Sequence, residues 1–122
     1  LGKSTIAWLK NNQVTQLQTT PKVFGVRKAQ PEELKVSTPE ESSEAIFRVL
    51  NGVEMAYAKS EMVLVNSAAG MIVGGKAEDF KEGMQVAKES IVSGKAYAKL
   101  KALVYVSGGN LQKLEELEAK YE

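Results

Sequence analysis

The spacing of apolar and polar residues near the start of the chain predicts a β-hairpin. Within residues 4–19, the apolar Ile6, Trp8, Val14 and Leu17 are set among Thr and Gln. The alternation is imperfect, because Ala7 and Leu9 are also apolar, but an approximate two-residue period is typical of strands with one covered face. Asn11-Asn12 stands in the middle of this stretch, and Asn tolerates the positive φ that a tight hairpin turn requires. We therefore expect two short strands joined at the asparagine pair.

After the hairpin, the sequence signals become those of turns and helices. Residues 21–26 predict a turn that leads into Gly25, and residues 31–34 predict a single helical turn. Thr38 predicts the start of a longer helix, because it can cap, the proline after it fits the first helical position, and the next two glutamates favour the positive helix end. Glu41 allows a capping box with Thr38. Asn51-Gly52 ends this helix, whose predicted apolar face is Ala45, Ile46, Val49 and Leu50.

The apolar stretch at residues 58–73 fits either a buried strand or a helix. Its length and its alanines favour one largely buried helix, ended by Gly74-Gly75. Three amphipathic helices follow, separated by Ser93-Gly94 and Gly108-Gly109, with Asn110 as the cap of the last one. Their predicted apolar stripes are Phe80, Met84, Ala87 and Ile91, then Ala96, Tyr97, Leu100, Leu103 and Val104, and finally Leu111, Leu114, Leu117 and Tyr121.

These elements predict an α/β fold in which an N-terminal β-hairpin is followed by about five α-helices. We expect residues 1–122 to form a single partial domain, with the hairpin and turn in residues 1–30 and the helical part in residues 38–122. The net charge of the chain changes sign near residue 31: residues 1–30 carry five basic side chains and no acidic one, whereas residues 31–50 have a net negative charge.

The amino-acid composition limits the kinds of catalytic group and metal site that this chain can contain. The chain has 122 residues, a net charge of +1, no Cys and no His. These absences exclude thiol nucleophiles, disulfides, histidine bases and the usual zinc sites. The near-zero net charge gives no support for bulk binding to nucleic acid or to an anionic membrane. The chain opens without a signal-peptide pattern and its longest apolar stretch is too short to span a bilayer, so we expect a cytoplasmic protein.

Two features of the N-terminal third suggest phosphate or nucleic-acid binding. Gly2-Lys3-Ser4-Thr5 matches the end of a phosphate-binding P-loop, but that loop needs an earlier glycine, a preceding strand and a following helix. A glycine turn that enters a strand is the favoured interpretation. The basic side chains, with Trp8 and Phe24 as stacking rings, could bind a nucleic acid. A solvated edge hairpin is the favoured alternative.

Acidic pairs and two polar residues in the apolar stretch are the remaining candidates. Glu32-Glu33, Glu40-Glu41 and Glu78-Asp79 could each hold Mg²⁺, but all three pairs fall where helices are expected to start and where acids are favoured by the helix dipole. Asn66 and Ser67 could bind a substrate, although a buried Asn more often satisfies a nearby backbone group. The residues alone therefore contain no recognisable catalytic constellation.

A longer motif in the second half of the chain resembles a known family, which the single residues above do not indicate. Residues 65–83 read Val-Asn-Ser-Ala-Ala-Gly-Met-Ile-Val-Gly-Gly-Lys-Ala-Glu-Asp-Phe-Lys-Glu-Gly, and Ser93-Gly94-Lys95-Ala96 follows before a helix rich in Lys and Leu. This stretch resembles the C-terminal end of the anthranilate phosphoribosyltransferase family. Thr5-Ile6-Ala7, Thr20-Pro21 and Phe24-Gly25 agree with it. Asn12, where the family often has Gly, and Gly70, where it usually has Ala, depart from it.

The resemblance implies the last third of an enzyme of tryptophan biosynthesis. That family transfers phosphoribosyl from phosphoribosyl pyrophosphate to anthranilate and uses Mg²⁺ at the pyrophosphate. Its architecture implies a phosphoribosyltransferase/nucleoside-phosphorylase-type α/β domain, of which this chain would be the C-terminal part. Its partners would be the remaining N-terminal part of the same enzyme and, when intact, a second copy of it, with no nucleic acid or membrane.

The same resemblance implies that the chemistry lies elsewhere. The glycine loop for pyrophosphate, the Lys-His-Gly-Asn segment, the anthranilate-contacting Arg and the metal-binding Asp-Glu pair of the family all precede the segment that resembles this chain. The absence of His agrees with this. No residue here would be catalytic, substrate-binding or metal-binding. We therefore expect this chain alone to be inactive and to expose apolar surface.

Two other interpretations remain open from the sequence. The chain could be the equivalent part of a pyrimidine-nucleoside phosphorylase-like glycosyltransferase. It could also be an independent helical interaction module without catalysis. The presence of the glycine loop and Lys-His-Gly-Asn segment in a longer parent chain would discriminate the first of these from the leading interpretation, and the absence of any upstream domain would favour the second.

Overall fold

Two antiparallel strands, β1 (Ser4–Lys10) and β2 (Gln13–Thr19), form the N-terminal hairpin. The asparagine turn is as predicted, since Asn11 and Asn12 have φ values of 53° and 59°, the left-handed pair that suits a two-residue hairpin. The register places Ile6 opposite Leu17, and both side chains are half-buried. The opposite face is exposed.

The computed structural model describes residues 2–122 and divides into two compact units, one ending at Lys35 and one spanning Val36–Glu122. In the first unit, a 3₁₀ turn over Pro21–Phe24 follows the hairpin and is closed by Gly25 with a φ of +69°. The single helical turn α1 (Pro31–Leu34) completes this unit. Both short elements lie where the sequence predicts them.

The second unit is entirely helical. Its elements are α2 (Pro39–Leu50), α3 (Ala58–Val73), α4 (Phe80–Val92), α5 (Lys95–Val106) and α6 (Leu111–Lys120). Counting the one-turn α1, the described residues contain six α-helices where about five were expected. Within residues 2–122, no helix combines the length and apolar character needed to cross a bilayer.

The helices begin at residues that satisfy free backbone donors. Thr38, Asp79 and Asn110 each accept a hydrogen bond from the backbone N–H three residues later, at 3.1, 2.8 and 3.1 Å. Such caps supply acceptors for backbone N–H donors that the first helical turn leaves unpaired. α5 begins differently, at Gly94 with a φ of +75°, so α4 and α5 are joined by a sharp turn that favours glycine.

α3 and α4 pack most closely and form the centre of the helical unit. At their contact a Cβ atom on Gly83 would lie 2.8 Å from the carbonyl oxygen of Ala68 and 3.0 Å from its Cα. Only a glycine permits this backbone approach. The buried apolar residues here are Leu64, Ala68, Met84, Ala87 and Ile91.

The expectation that α3 is largely buried is wrong. One face is covered, whereas Met62, Val63 and Val73 are exposed, the last by 91%. The reason is geometric, because a helix that packs mainly against one partner covers a stripe rather than its whole surface.

The predicted apolar faces of α2 and α5 also need correction. Phe47 is 1% exposed and is the main buried residue of α2, whereas Ile46 is 49% exposed. In α5 no residue is fully buried, and Leu103 is exposed. The chain does expose apolar surface as expected, at Leu9, Val14, Val23, Val36, Ile46, Met62, Val63, Val73, Val92, Leu103, Tyr105, Val106 and Leu111.

Candidate functional site

The Gly2-Lys3-Ser4-Thr5 segment does not form a P-loop. Ser4 is already the first residue of β1, which continues to Lys10. A P-loop instead wraps its backbone amides around phosphate at the start of a helix. The structure confirms the predicted entry into a strand.

The aromatic rings of the basic N-terminal third are not freely exposed. Trp8 lies on the half-buried face of the hairpin, on the same side as Ile6 and Leu17, and Phe24 is also half-buried. Lys3, by contrast, is exposed. Bases stack on exposed ring faces in single-strand binding sites, and here both rings are partly covered.

Glu32-Glu33 belongs to the start of α1. The Glu33 carboxylate accepts the backbone N–H of Gln30 at 2.7 Å and pairs with Arg27 at 2.7 Å. The hydrogen bond from Gln30, together with that from Arg27, lowers the pKa of the Glu33 carboxyl. The pair therefore serves a capping box, as its position suggested.

Glu41 and Glu82 act in the same way at the starts of α2 and α4. The Glu41 carboxylate accepts the backbone N–H of Ser37 at 2.7 Å, and that of Glu82 accepts the backbone N–H of Glu78 at 2.7 Å. Within residues 2–122, no three side chains among Asp, Glu, His and Cys come together in a way that could hold a metal ion. The hydrogen bonds of Glu33, Glu41 and Glu82 agree with the favoured use of the acidic pairs at helix starts.

Asn66 satisfies its own helix. Its amide nitrogen donates to the carbonyl oxygen of Met62 at 2.8 Å, and the residue is exposed on α3. Ser67 beside it is half-buried. Asn66 thus has the local backbone role that the sequence favoured over substrate binding.

The densest polar arrangement is one that the sequence did not indicate. Glu44, Phe47, Tyr97, Glu118 and Tyr121 meet where α2, α5 and α6 come together, and we call these five residues the aromatic–carboxylate cluster. The Phe47 ring lies edge-on to Tyr97, with centroids 5.6 Å apart, and 5.9 Å from the ring of Tyr121. Such ring pairs add to the stability gained from burial alone.

Each carboxylate of the cluster is shared between a tyrosine and a lysine. Glu118 accepts from the Tyr97 hydroxyl at 2.5 Å and from Lys101 Nζ at 2.9 Å. Glu44 accepts from the Tyr121 hydroxyl and from Lys120 Nζ, the latter at 2.8 Å. In each carboxylate, both of these bonds are accepted by the same oxygen, Oε1.

These contacts shift the titration of the cluster. The hydrogen bonds from Lys120 and Tyr121 lower the pKa of Glu44, and those from Tyr97 and Lys101 lower the pKa of Glu118. Burial, with the bond to Glu118, raises the pKa of Tyr97 well above its ordinary value. The carboxylates are thus held ionised and the hydroxyl protonated, which suits a structural lock better than proton transfer.

Arg48 extends the cluster along α2. Its guanidinium lies 4.4 Å from the centroid of the Tyr57 ring and 5.6 Å from that of Tyr121, and it pairs with Glu54 at 2.9 Å. The sequence indicated Tyr97 and Tyr121 only as members of apolar stripes. It gave no sign of their partners, because residue 121 and Glu44 are 77 positions apart.

Comparison with known proteins gives one consistent result. Residues 1–97 match the family model described as glycosyl transferase family, a/b domain. The anthranilate phosphoribosyltransferases of Brucella ovis, Brucella canis and Brucella abortus are each 40% identical to the chain over 106 residues. These alignments cover 87% of this chain and 31% of each relative, in the relative's C-terminal part. The chain therefore spans about a third of the length of the curated relatives it matches.

Proposed function

The chain belongs to the glycosyl transferase family, a/b domain, and we propose that it is the C-terminal part of an anthranilate phosphoribosyltransferase that acts in tryptophan biosynthesis in the cytoplasm. The observation that carries this proposal is the 40% identity, over 87% of the chain, to proteins of that name. The hairpin followed by helices is consistent with the matched a/b domain.

The proposed reaction moves a phosphoribosyl group between two small molecules. A bond forms between the amine nitrogen of anthranilate and the anomeric carbon of the ribose, the bond from that carbon to pyrophosphate breaks, and the amine gives up one proton. Positive charge develops on the sugar while negative charge develops on the leaving group. Catalysis therefore requires fixed charges and hydrogen-bond donors aimed at both.

The described residues contribute support rather than chemistry to that reaction. Glu33, Glu41 and Glu82 are engaged by helix starts, and Glu44 and Glu118 by tyrosines and lysines. We therefore assign substrate binding, and the Mg²⁺ that the leaving group requires, to other parts of a longer protein.

The test is an activity measurement on the longest natural protein that contains this sequence and on the 122-residue chain alone. Anthranilate fluorescence is followed with phosphoribosyl pyrophosphate and Mg²⁺. We expect fluorescence to fall with the longer protein and to stay constant with the chain alone. Intact mass establishes the length of the natural protein, which should be roughly three times that of this chain, as the 31% coverage of its relatives indicates.

Two outcomes would overturn the proposal. Phosphorolysis of pyrimidine nucleosides by the longer protein, without transfer to anthranilate, would favour the nucleoside phosphorylase interpretation within the same glycosyl transferase family. A natural protein no longer than this chain would leave no residues for the phosphate and metal sites, and would favour a helical interaction module.

A further inference from the structure

The C-terminal helix α6 is held to the rest of the helical unit by both apolar and polar side-chain contacts. Leu114 is its one fully buried residue. Asn110 caps its start, and Leu117 is half-buried. Glu118, Lys120 and the following Tyr121 make hydrogen bonds and ring contacts to other helices. Release of this helix must therefore expose Leu114 and part of Phe47 as well as break the polar contacts.

The contacts join α6 to two other helices in complementary ways. Toward α5, the helix supplies the acceptor, Glu118, to donors on Tyr97 and Lys101. Toward α2, Lys120 and the adjoining Tyr121 supply the donors to Glu44. Two charge-assisted sites on different helices fix the position of α6 more firmly than either one alone.

The contacts are also open to solvent. The side chains of Lys101 and Lys120 are 54% and 56% exposed, and those of Glu118 and Glu44 are 27% and 32% exposed. Ion pairs of this kind are weakened by salt, since the Debye length falls from about 10 Å at 0.1 M to about 3 Å at 1 M ionic strength. Close apolar contacts, such as that between Gly83 and Ala68, lack this dependence.

Beneath the helix lies the most buried aromatic ring of the chain. Phe47 is 1% exposed and is covered partly by the ring of Tyr121. The match to the family model ends at residue 97, so every residue of α6 lies beyond the matched region. α6 thus lies outside the matched part and covers an apolar surface of α2.

We propose that α6 is a salt-releasable clasp: it closes over Phe47 through the two tyrosine–glutamate–lysine sites and opens without unfolding α3 and α4. This inference does not depend on the reaction assigned above. Opening uncovers the Phe47 ring while the tight α3–α4 contact remains. The clasp is thus a two-state device, with its equilibrium set by charge screening.

Amide hydrogen exchange of the protein tests this inference. At about 0.05 M salt, amides of α6 should exchange slowly, and at about 1 M salt they should exchange roughly tenfold faster relative to amides of α3. A salt-independent ratio, or equal loss of protection in α3, would overturn the clasp. In the latter case α6 would unfold together with the core.

Matched variants separate the clasp from a general charge effect. Glu44→Gln and Glu118→Gln each remove a shared carboxylate, and each should accelerate α6 exchange roughly fivefold or more at low salt. Glu115→Gln makes the same charge change on the exposed side of α6 and should leave exchange within about twofold. Equal effects of Glu115→Gln and Glu118→Gln would contradict the proposal. Tyr121→Phe, which keeps the ring and the Lys120–Glu44 ion pair, should accelerate α6 exchange at low salt but retain the salt response that Glu44→Gln reduces.

Discussion

The α3–α4 pair and the C-terminal helix α6 lie in the same unit but are held there by opposite means. Between α3 and α4, a glycine at residue 83 lets backbone approach backbone, and the surrounding side chains are small and apolar. Around α6, tyrosines and lysines share carboxylates at a partly wet surface. The stability of a close apolar contact depends on side-chain volume and little on salt. The stability of an exposed ion pair depends on salt concentration.

Phe47 gives the largest expected effect, because its ring is almost completely buried and contacts the rings of Tyr97 and Tyr121. Phe47→Ala removes the ring between Tyr97 and Tyr121 and should lower the free energy of unfolding by about 3–5 kcal/mol. Ile46→Ala, on the exposed neighbour, should lower it by about 1 kcal/mol or less. Urea denaturation of both variants measures the difference. Similar losses at the two positions would show that the buried ring is not the anchor of α2.

Gly83 tests the close contact itself. Gly83→Ala places a methyl group against the Ala68 backbone, at 2.8 Å from its carbonyl oxygen, and should destabilise the protein by about 1–2 kcal/mol after the usual gain in helix propensity. The control is Gly70→Ala on α3, where an added Cβ meets nothing within 4 Å. That change should instead stabilise by about 0.5–1 kcal/mol. A gain at both positions would show that the two helices separate easily.

Acid should affect the two regions differently. The pKa values of Glu44 and Glu118 are lowered in the folded protein from an ordinary value of 4.5. Their contribution to the docking of α6 is therefore complete above that value and is lost as the pH falls through the lower folded pKa values. Amide exchange between pH 6 and pH 3, corrected for intrinsic rates, should show α6 losing protection before α3. Glu44→Gln should reduce this difference, and parallel loss in both helices would be the contrary result.

The hairpin turn supplies the smallest effect and lies outside both helix contacts. Asn12 has a φ of 59°, so Asn12→Gly should stabilise the hairpin by about 0.5 kcal/mol and Asn12→Ala should destabilise it by about 1 kcal/mol. Cross-strand amide protection in β1 and β2 reports on both variants. Opposite signs are the specific expectation, and two changes of the same sign would contradict the left-handed geometry at this residue.

The sequence predicted local features well and long-range ones poorly. Thr38, Asn110 and Asn11-Asn12 act within a few residues of themselves, so their capping and turn signals could be read directly. The choice of Ile46 over Phe47 was wrong, because two adjacent apolar residues of α2 both fit a helical face and only the position of Tyr97 decides between them.

The candidate site residues show the same difference between local and long-range features. The acidic pairs were correctly placed at helix starts, since a cap needs only neighbours in sequence. The aromatic–carboxylate cluster was not predicted, because Glu44 finds its partners 76 and 77 residues later. No periodicity within α2 or α6 carries that information.

Through the turn at Gly94, the close contact of α3 and α4 can affect the position of α5. Because α5 starts directly after this left-handed glycine, a change in the tilt of α4 moves the point from which α5 begins. About 15 Å of helix separate residue 83 from that joint, so pivoting α4 by about 5° would displace the joint by about 1 Å. α4 would pivot about its contact at residue 83, so a single methyl group added there would also displace the start of α5.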